Sequence, residues 1–425
     1  MGQLSEAGFT LVNDEHDADV VVVNTCSFIK DAKEESINTL IEMGTLKKDG
    51  QLKALVATGC LAQRYADEIN QMIPEVDAII GTMAIDKIVE AVNSVSEGKT
   101  CRFLAPLDSP LVYGKKRLVT TGGHYAYLKI AEGCQKHCTY CAIPSFRGTY
   151  KSVPIDVLYD ETVKLCENGV KEIILVAQET TVYGVDLYGK KSLPLLLSKL
   201  STISDLYYIR ILYCYPEEID DELVREIKNN PKVIKYIDMP IQSASDHVLK
   251  RMGRRTTRKM LEETVLKLRR EIPDICLRTT LIAGFPGEKH SDFIETLQFV
   301  KKMCFDRLGV FTYSREEGTA AARMRGQLPE FVKKYRQKKL MRCQKDIAFK
   351  AASDMKGKKL TVMIEGSVPE DGIYVARTYK DAPGVDGFLF LETSKELMTG
   401  DLIKVVVTGA DEYDLVGVPE DEFTE

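Results

Sequence analysis

Gly133-Cys134-Gln135-Lys136-His137-Cys138-Thr139-Tyr140-Cys141 is the stretch from which the rest of the chain is read. Its three cysteines are spaced C-x3-C-x2-C on a short loop just after the apolar run Tyr125 to Ala131. So short a loop turns three thiolates toward one point, and such a point suits a soft metal. Thiolate is the standard ligand of iron–sulfur clusters, and three protein ligands on a four-iron cluster leave one iron open to a substrate or cofactor. A four-cysteine zinc knot would need a fourth ligand nearby, and His137 is out of phase with its neighbours. Unligated core thiols are the third reading, and they fit poorly with a polar loop that carries Lys136 and His137.

Working outward, 425 residues exceed one ordinary hydrophobic core, so two or three domains are expected. A hydrophobic content of 44% and a charged content of 28% describe a globular protein. The longest conspicuous apolar run is Val20 to Val23, far short of a membrane span, and the start Met1-Gly2-Gln3-Leu4 lacks the features of a signal peptide. A cytoplasmic protein with no membrane partner is the expectation. In that setting eleven cysteines argue for metal binding or catalysis over disulfides.

Residues 1 to about 95 alternate between short apolar runs (Ala18 to Val23, Lys53 to Ala57, Asp77 to Ile80) and helical patterns at 30–46, 62–72 and 84–93. This predicts an open α/β domain over 1–110. Cys26 follows the first run and Cys60 the second, at carboxyl ends of parallel strands, where such sheets bind ligands. Spacing alone leaves open whether they are ligands or two buried thiols. Residues 96–123, rich in Gly and Pro, read as a linker.

Over 120–350 six strand-then-helix units predict a parallel barrel left open on one side, a partial (β/α)6 barrel. The cysteine loop ends its first strand. Gln178, Glu179, Tyr213, Gln242, Arg278, Thr280, Tyr313 and Arg315 are read as lying at the ends of the others. Gly284-Phe285-Pro286-Gly287-Glu288 is read as a loop that lets backbone approach a ligand, with a tight turn as the alternative. The basic run Arg251 to Arg270 reads as a solvated helix face. Residues 327–355 form a charged connecting helix, and 356–425 carry five strand-like runs, which predict a small five-stranded β-barrel.

The cysteine spacing, with Tyr140 before the last cysteine, resembles the radical S-adenosylmethionine (SAM) enzymes. Glu132-Gly133-Cys134, Cys141-Ala142-Ile143-Pro144 and Arg147-Gly148 are more narrowly similar to the methylthiotransferases, over essentially the whole chain. The resemblance implies that Cys134, Cys138 and Cys141 hold a [4Fe-4S] cluster whose open iron chelates SAM, with Tyr140, Gln178, Glu179, Arg278, Thr280 and Gly284 in the SAM pocket. It implies that Cys26 and Cys60 are the second and third ligands of an auxiliary [4Fe-4S] cluster, the first ligand lying on an opening strand ahead of where this sequence starts. It also implies that 356–425 is a TRAM domain. One electron from the first cluster would split SAM, the resulting radical would take a hydrogen from the substrate, and a methylated sulfur would follow from the auxiliary cluster.

Charge bears on the substrate. The chain carries a formal net charge of -5, and from Lys356 onward seven basic residues face 15 acidic ones. Gripping the phosphates of RNA needs a positive surface, whereas an acidic module favours a basic protein. Tyr379 to Gly387, Cys141 to Ser145 and Val310 to Thr319 are similar to the branch of the family that modifies an aspartate of ribosomal protein S12. That branch implies S12 as partner, an external electron donor, and no requirement for nucleic acid. Modification of a tRNA adenosine is the nearest alternative, and a non-catalytic iron–sulfur protein is the alternative of another class.

Overall fold

In the segment Ala54-Leu55-Val56-Ala57 every residue is apolar, and the computed structural model shows both faces in use. Leu55 and Ala57 pack with Leu40, Met43 and Leu61, while Ala54 and Val56 pack with Ile80, Ile88 and Val92. Alternate residues of a strand point to opposite faces, so a strand apolar throughout belongs at the centre of a sheet covered on both sides. The structure describes residues 1–50, 52–368 and 372–423; of the acidic residues counted above, Glu370, Asp371 and Glu425 lie outside the described residues.

The chain divides into two compact units. The first comprises residues 1–118, 132–153 and 314–323. Its sheet runs β1 (Val20–Thr25), β2 (Ala54–Gly59), β3 (Ala78–Ile80), β4 (Cys101–Phe103), all parallel and in chain order. The helices α1 (Lys30–Lys48) and α2 (Cys60–Arg64) follow β1 and β2. The fourth strand corrects the linker expected from residue 96. Cys101 lies on it and pairs in register with Ala78. A three-residue strand among glycines and prolines leaves no periodic signal, so only the sheet edge reveals it.

The second unit comprises residues 119–131, 154–313 and 324–425. Six parallel strands again follow chain order: β5 (Tyr125–Lys129), β6 (Glu172–Val176), β7 (Tyr208–Ile211), β8 (Val233–Asp238), β9 (Cys276–Ala283) and β10 (Arg307–Thr312). A sheet of six such strands with helical crossovers is the open barrel expected. The same unit holds a closed antiparallel-rich barrel of β11 (Lys359–Val368), β12 (Ile373–Arg377), β13 (Leu389–Glu392), β14 (Leu402–Asp411) and β15 (Asp414–Pro419), in the order β11-β12-β13-β15-β14. Closure removes the sheet edges, and Val362, Ile364, Leu389, Leu391, Val405 and Val407 fill the interior.

Within this unit the small barrel is fastened to the amino-terminal ends of the sheet strands by charge. Glu172, the first residue of β6, is fully buried between Arg210 (Nε to Oε1, 2.8 Å) and Arg377 (Nη2 to Oε2, 2.6 Å). Burial works against the Glu172 carboxylate, and the two arginines outweigh it and hold its pKa below the usual range. Arg377 also reaches Glu365 at 2.8 Å. Tyr236 donates its hydroxyl to Asp386 at 2.9 Å, and Lys380 pairs with Asp306 at 2.8 Å. The segment Tyr379 to Gly387 is thus a fastening between barrel and sheet. Nor is the basic run 251–270 wholly solvated: Arg254 is buried, its guanidinium 4.1 Å from the Tyr215 ring centroid.

Candidate functional site

In the first unit the carboxyl ends of β1 and β2 are laced together. Gly59 has φ +101°, and a Cβ there would stand 2.5 Å from the Thr25 carbonyl oxygen, so only glycine allows the two strand ends to approach. Thr25 Oγ1 donates to the Thr58 carbonyl at 2.7 Å and accepts from Ala62 N at 3.2 Å. Cys60 opens α2 directly after this junction. Cys26 follows β1, exposed, with its backbone N–H donating to Ser36 Oγ at 2.9 Å.

The cysteine loop belongs to the same unit. Gly133 (φ +80°) sits so close to Thr149 that a Cβ would lie 2.1 Å from its carbonyl oxygen, and Cys134 N donates to the Gly148 carbonyl at 3.2 Å. Cys134 and Cys138 are buried, and Cys141 N donates to the Cys138 carbonyl at 3.0 Å. Burial pushes the Cys141 thiol up to about 12; a hydrogen bond to the Ile143 backbone opposes this, and Cys138 and Cys134 add to the rise. A Cys141 thiol pushed up in this way takes the thiolate form only beside a compensating cation, which is what an iron cluster supplies. The donor set therefore fits such a group. Among the described residues no set of three His, Cys, Asp or Glu side chains closes on the position of a single ion. A cavity of about 510 Å³ borders Cys138 and Cys141, with Arg64, Tyr65, His137 and Glu317 also in its wall. That is the size of a small-molecule site. Tyr140, half-buried, lies between Thr139 and Cys141 on the same loop.

The short helix α3 (Pro144–Arg147) ends the loop and carries a residue that sequence reasoning quoted only as part of a motif. Arg147 places Nη2 3.0 Å from Cys60 Sγ and Nη1 3.0 Å from Glu132 Oε2. Glu132 Oε1 accepts from Gly133 N at 3.3 Å. Burial disfavours the charge on Arg147, and Glu132 and Cys60 more than offset that. Thr82, just past β3, donates to the Phe146 carbonyl at 2.7 Å. The only advance signal of these contacts was the Arg-Gly pair six residues after the last cysteine.

The remaining expected site residues lie in the second unit, apart from Arg315, whose Nε donates to the Ala322 carbonyl in the first. Gln178 follows β6 by two residues, and its Oε1 is buried with no hydrogen-bond partner among the described residues. Thr280 is half-buried on β9. Arg278 and Thr280 are the third and fifth residues of the eight-residue strand Cys276–Ala283, which corrects their expected place at its end. Arg278 is engaged at mid-strand with Asp238 at 3.0 Å and Asp386 at 3.7 Å. Glu179 is buried, its carboxylate accepting from the Thr181 backbone and hydroxyl. Gly284 (φ +78°) makes room for Lys333, whose Cγ would stand 2.4 Å from a Cβ there, and its N–H donates to Glu288 Oε2 at 2.6 Å. The tight-turn alternative describes this loop. Tyr213 (φ 60°) and Gln242 (φ 68°) hold left-handed backbones just past β7 and β8, a strain of about 1–3 kcal/mol each of the sort that clusters at functional sites.

Comparison with known proteins places these features. The Radical SAM superfamily matches residues 128–300, Uncharacterized protein family UPF0004 residues 1–81, and the TRAM domain residues 357–419. The chain is 56% identical over 99% of its length to the ribosomal protein uS12 methylthiotransferase RimO of Lachnoclostridium phytofermentans, covering 96% of that relative. It is 49% identical over 97% of its length to the protein of the same name from a Thermoanaerobacter species, covering 94% of it. Among solved structures, the radical SAM methyltransferase TsrM from Kitasatospora setae, with cobalamin and a [4Fe-4S] cluster bound, superposes with a TM-score of 0.51. At 12% identity over 69% of this chain and 61% of that one, it speaks to fold alone. On its relatives' identity and coverage, the chain belongs to the radical SAM family of ribosomal protein uS12 methylthiotransferases.

Proposed function

We propose that the protein attaches a methylthio group to the β-carbon of an aspartate in ribosomal protein uS12. The observation that carries this reading is the 56% identity, across nearly the whole of both chains, to a relative of that name. In this reading residues 1–110 form the methylthiotransferase amino-terminal domain, 120–350 the radical SAM domain and 356–425 the TRAM domain. Cys134, Cys138 and Cys141 hold the SAM-binding cluster, and Cys26 and Cys60 serve an auxiliary one. With both groups bound, the first supplies the electron that cleaves SAM and starts hydrogen removal, and the second supplies the sulfur.

The chain's own residues bind, orient and exclude water. Burial of Cys134 and Cys138 keeps water from two of the three sulfurs. Tyr140 on the loop, and Gln178 and Thr280 on the sheet, are the SAM contacts, and the unpartnered Oε1 of Gln178 is the acceptor for a ligand N–H or O–H. Arg278, Glu179 and Gly284, whose side chains or space are taken by other residues, instead hold the strand and loop in shape. The acidic carboxyl-terminal barrel attracts a basic substrate protein at long range. An external electron donor and a cytoplasmic setting complete the proposal. No helix of the described residues is long and apolar enough to cross a membrane.

The test is anaerobic reconstitution with iron and sulfide, followed by incubation with SAM, a reductant and either purified uS12 or a tRNA. Mass spectrometry of a uS12 peptide should show one methylthio group on an aspartate. Modification of the tRNA alone would transfer the reading to an RNA-directed enzyme.

A further inference from the structure

We infer that the second unit carries a binding site for a compact polyphosphate anion, of the size of a nucleoside triphosphate, in the cavity between the amino-terminal ends of the sheet strands and the small barrel. The inference rests neither on the reaction proposed above nor on either group of cysteines.

The cavity holds about 790 Å³, within the range of small-molecule sites. Tyr208 and Val233, the first residues of β7 and β8, are in its wall, so it lies at the end of the strands opposite to the one where parallel barrels do chemistry. Lys228, Lys235, Arg269, Lys358, Lys359 and Lys380 line it, against two carboxylates, Asp274 and Asp306. In a chain of formal net charge -5 this is a local excess of the opposite sign, and three of the seven basic residues from Lys356 onward are gathered in it. Pairs within the protein do not cancel it. Lys380 has Asp306 at 2.8 Å, Lys359 has Glu420 at 2.7 Å and Lys228 has Glu271 at 3.4 Å. Arg269 donates to the backbone carbonyls of Met303 and Cys304, which satisfy its N–H groups and leave its charge standing. Lys235 and Lys358 have no carboxylate partner among the described residues. Lys235 decides the matter, because it is half-buried as the third residue of β8. There an ammonium group gives up part of its hydration and gains no counter-charge from the protein, a cost that a bound anion offsets.

Phosphate oxygens suit this lining, since lysines act on them as point charges that neighbouring phosphates can share. The wall also offers the rings of Tyr208 and Tyr379 and the apolar Ile275 and Leu360, a surface for a nucleoside. A long RNA is the poorer match, because its phosphates would run on from the cavity over a carboxyl-terminal segment with 15 acidic residues. Lys235 belongs to the sheet and Lys358 directly precedes the barrel strand β11, so a ligand held by both ties the two together.

The test uses the full chain in magnesium-free buffer, with tripolyphosphate, ATP and adenosine as probes, titration calorimetry for affinity and thermal melting for stabilisation. Tripolyphosphate and ATP should both bind and raise the melting temperature, and adenosine, which lacks the phosphates, should do neither. Lys235→Gln and Lys358→Gln should each lower the tripolyphosphate affinity about tenfold, the order of one charge-assisted hydrogen bond. Lys395→Gln, which removes a lysine paired with Asp421 and outside the cavity wall, should leave the affinity unchanged. Lys358 is exposed, so its replacement keeps the fold and gives the answer by itself where Lys235→Gln does not fold. Absence of binding by both polyphosphates up to about 1 mM, or equal affinity in the parent and Lys358→Gln, would overturn the inference. An equal loss in Lys395→Gln would do the same by reducing the binding to general charge attraction. So would a single-stranded RNA that binds more tightly than ATP and displaces tripolyphosphate, since the same lysines would then belong to a nucleic-acid track.

Discussion

Arg377, the last residue of β12, places its Nη2 2.6 Å from Oε2 of Glu172, the first residue of β6, with both side chains at 2% exposure or less. This ion pair, shared with Arg210, joins the carboxyl-terminal barrel to the parallel sheet. Breaking a buried pair strands the partner charge, at a cost of about 3–5 kcal/mol. Arg377→Met should therefore lower the unfolding free energy of the second unit, read from urea curves, by that much. Glu172→Gln in turn strands Arg377 and Arg210, so the loss in the double variant should be clearly less than the sum of the two single losses. Strictly additive losses would show that packing rather than charge fastens the barrel.

The same pair sets a pH dependence. The folded pKa of Glu172 lies below its unfolded value of about 4.3. The stability it contributes is thus complete above that unfolded value and lost as pH falls through the folded one. Denaturation curves should therefore be flat in this respect near neutrality and fall off in acid below about pH 4. In the Arg377→Met background the acid loss should shrink, because the carboxylate no longer gains from folding. An unchanged acid profile in that variant would assign the loss to other carboxylates.

How much of this could be read from sequence follows from what each feature needs. The strands of both parallel sheets announced themselves because buried β-strands are continuous apolar runs, Ala54–Gly59 being the plainest. The cysteine loop was legible because three cysteines lie within eight residues. Cys101–Phe103 was not, since a strand that short is defined by its partner rather than by its own pattern. Arg278 reads from sequence as a strand-end residue, one of those converging on the cysteine loop. The structure instead holds it half-buried at mid-strand against Asp238 and Asp386, and Asp386 is 108 residues away, beyond any local pattern. Arg147 with Cys60 is likewise a contact across 87 residues, invisible to spacing rules.

Gly133 tests how tightly the cysteine loop is set. A methyl group there would meet the Thr149 carbonyl oxygen at 2.1 Å, and φ is +80°. Because the obstacle is backbone, relief requires the loop to move. Gly133→Ala should cost about 1–3 kcal/mol in strain and, more tellingly, reduce the iron bound on reconstitution. Full iron loading by this variant would mean that the loop tolerates a shift without losing the arrangement of Cys134, Cys138 and Cys141.

Gly284 separates a turn from a cofactor contact. Its missing side chain leaves space that the stem of Lys333 occupies, and its N–H is satisfied by Glu288. Gly284→Ala should therefore destabilise the fold by roughly 1–3 kcal/mol, the scale of overpacking, while the affinity for SAM stays near that of the parent. Thermal melting and SAM binding, measured by calorimetry on the reconstituted protein, read the two effects apart. Loss of SAM affinity without loss of stability would return Gly284 to the cofactor site.

The two groups of cysteines should separate two reactions. Cys138→Ala removes a buried thiol of the loop beside the 510 Å³ cavity and, in the proposed function, the electron path to SAM with it. Neither 5′-deoxyadenosine nor modified uS12 should form. Cys60→Ala leaves that loop complete and deletes only the sulfur that Arg147 contacts. SAM cleavage under reductant should then continue at a comparable rate while methylthiolation falls below detection. Chromatography for 5′-deoxyadenosine and mass spectrometry of the uS12 peptide, run on the same reactions, distinguish these outcomes. Methylthiolated uS12 from the Cys60→Ala protein would show that Cys60 is not needed for sulfur delivery.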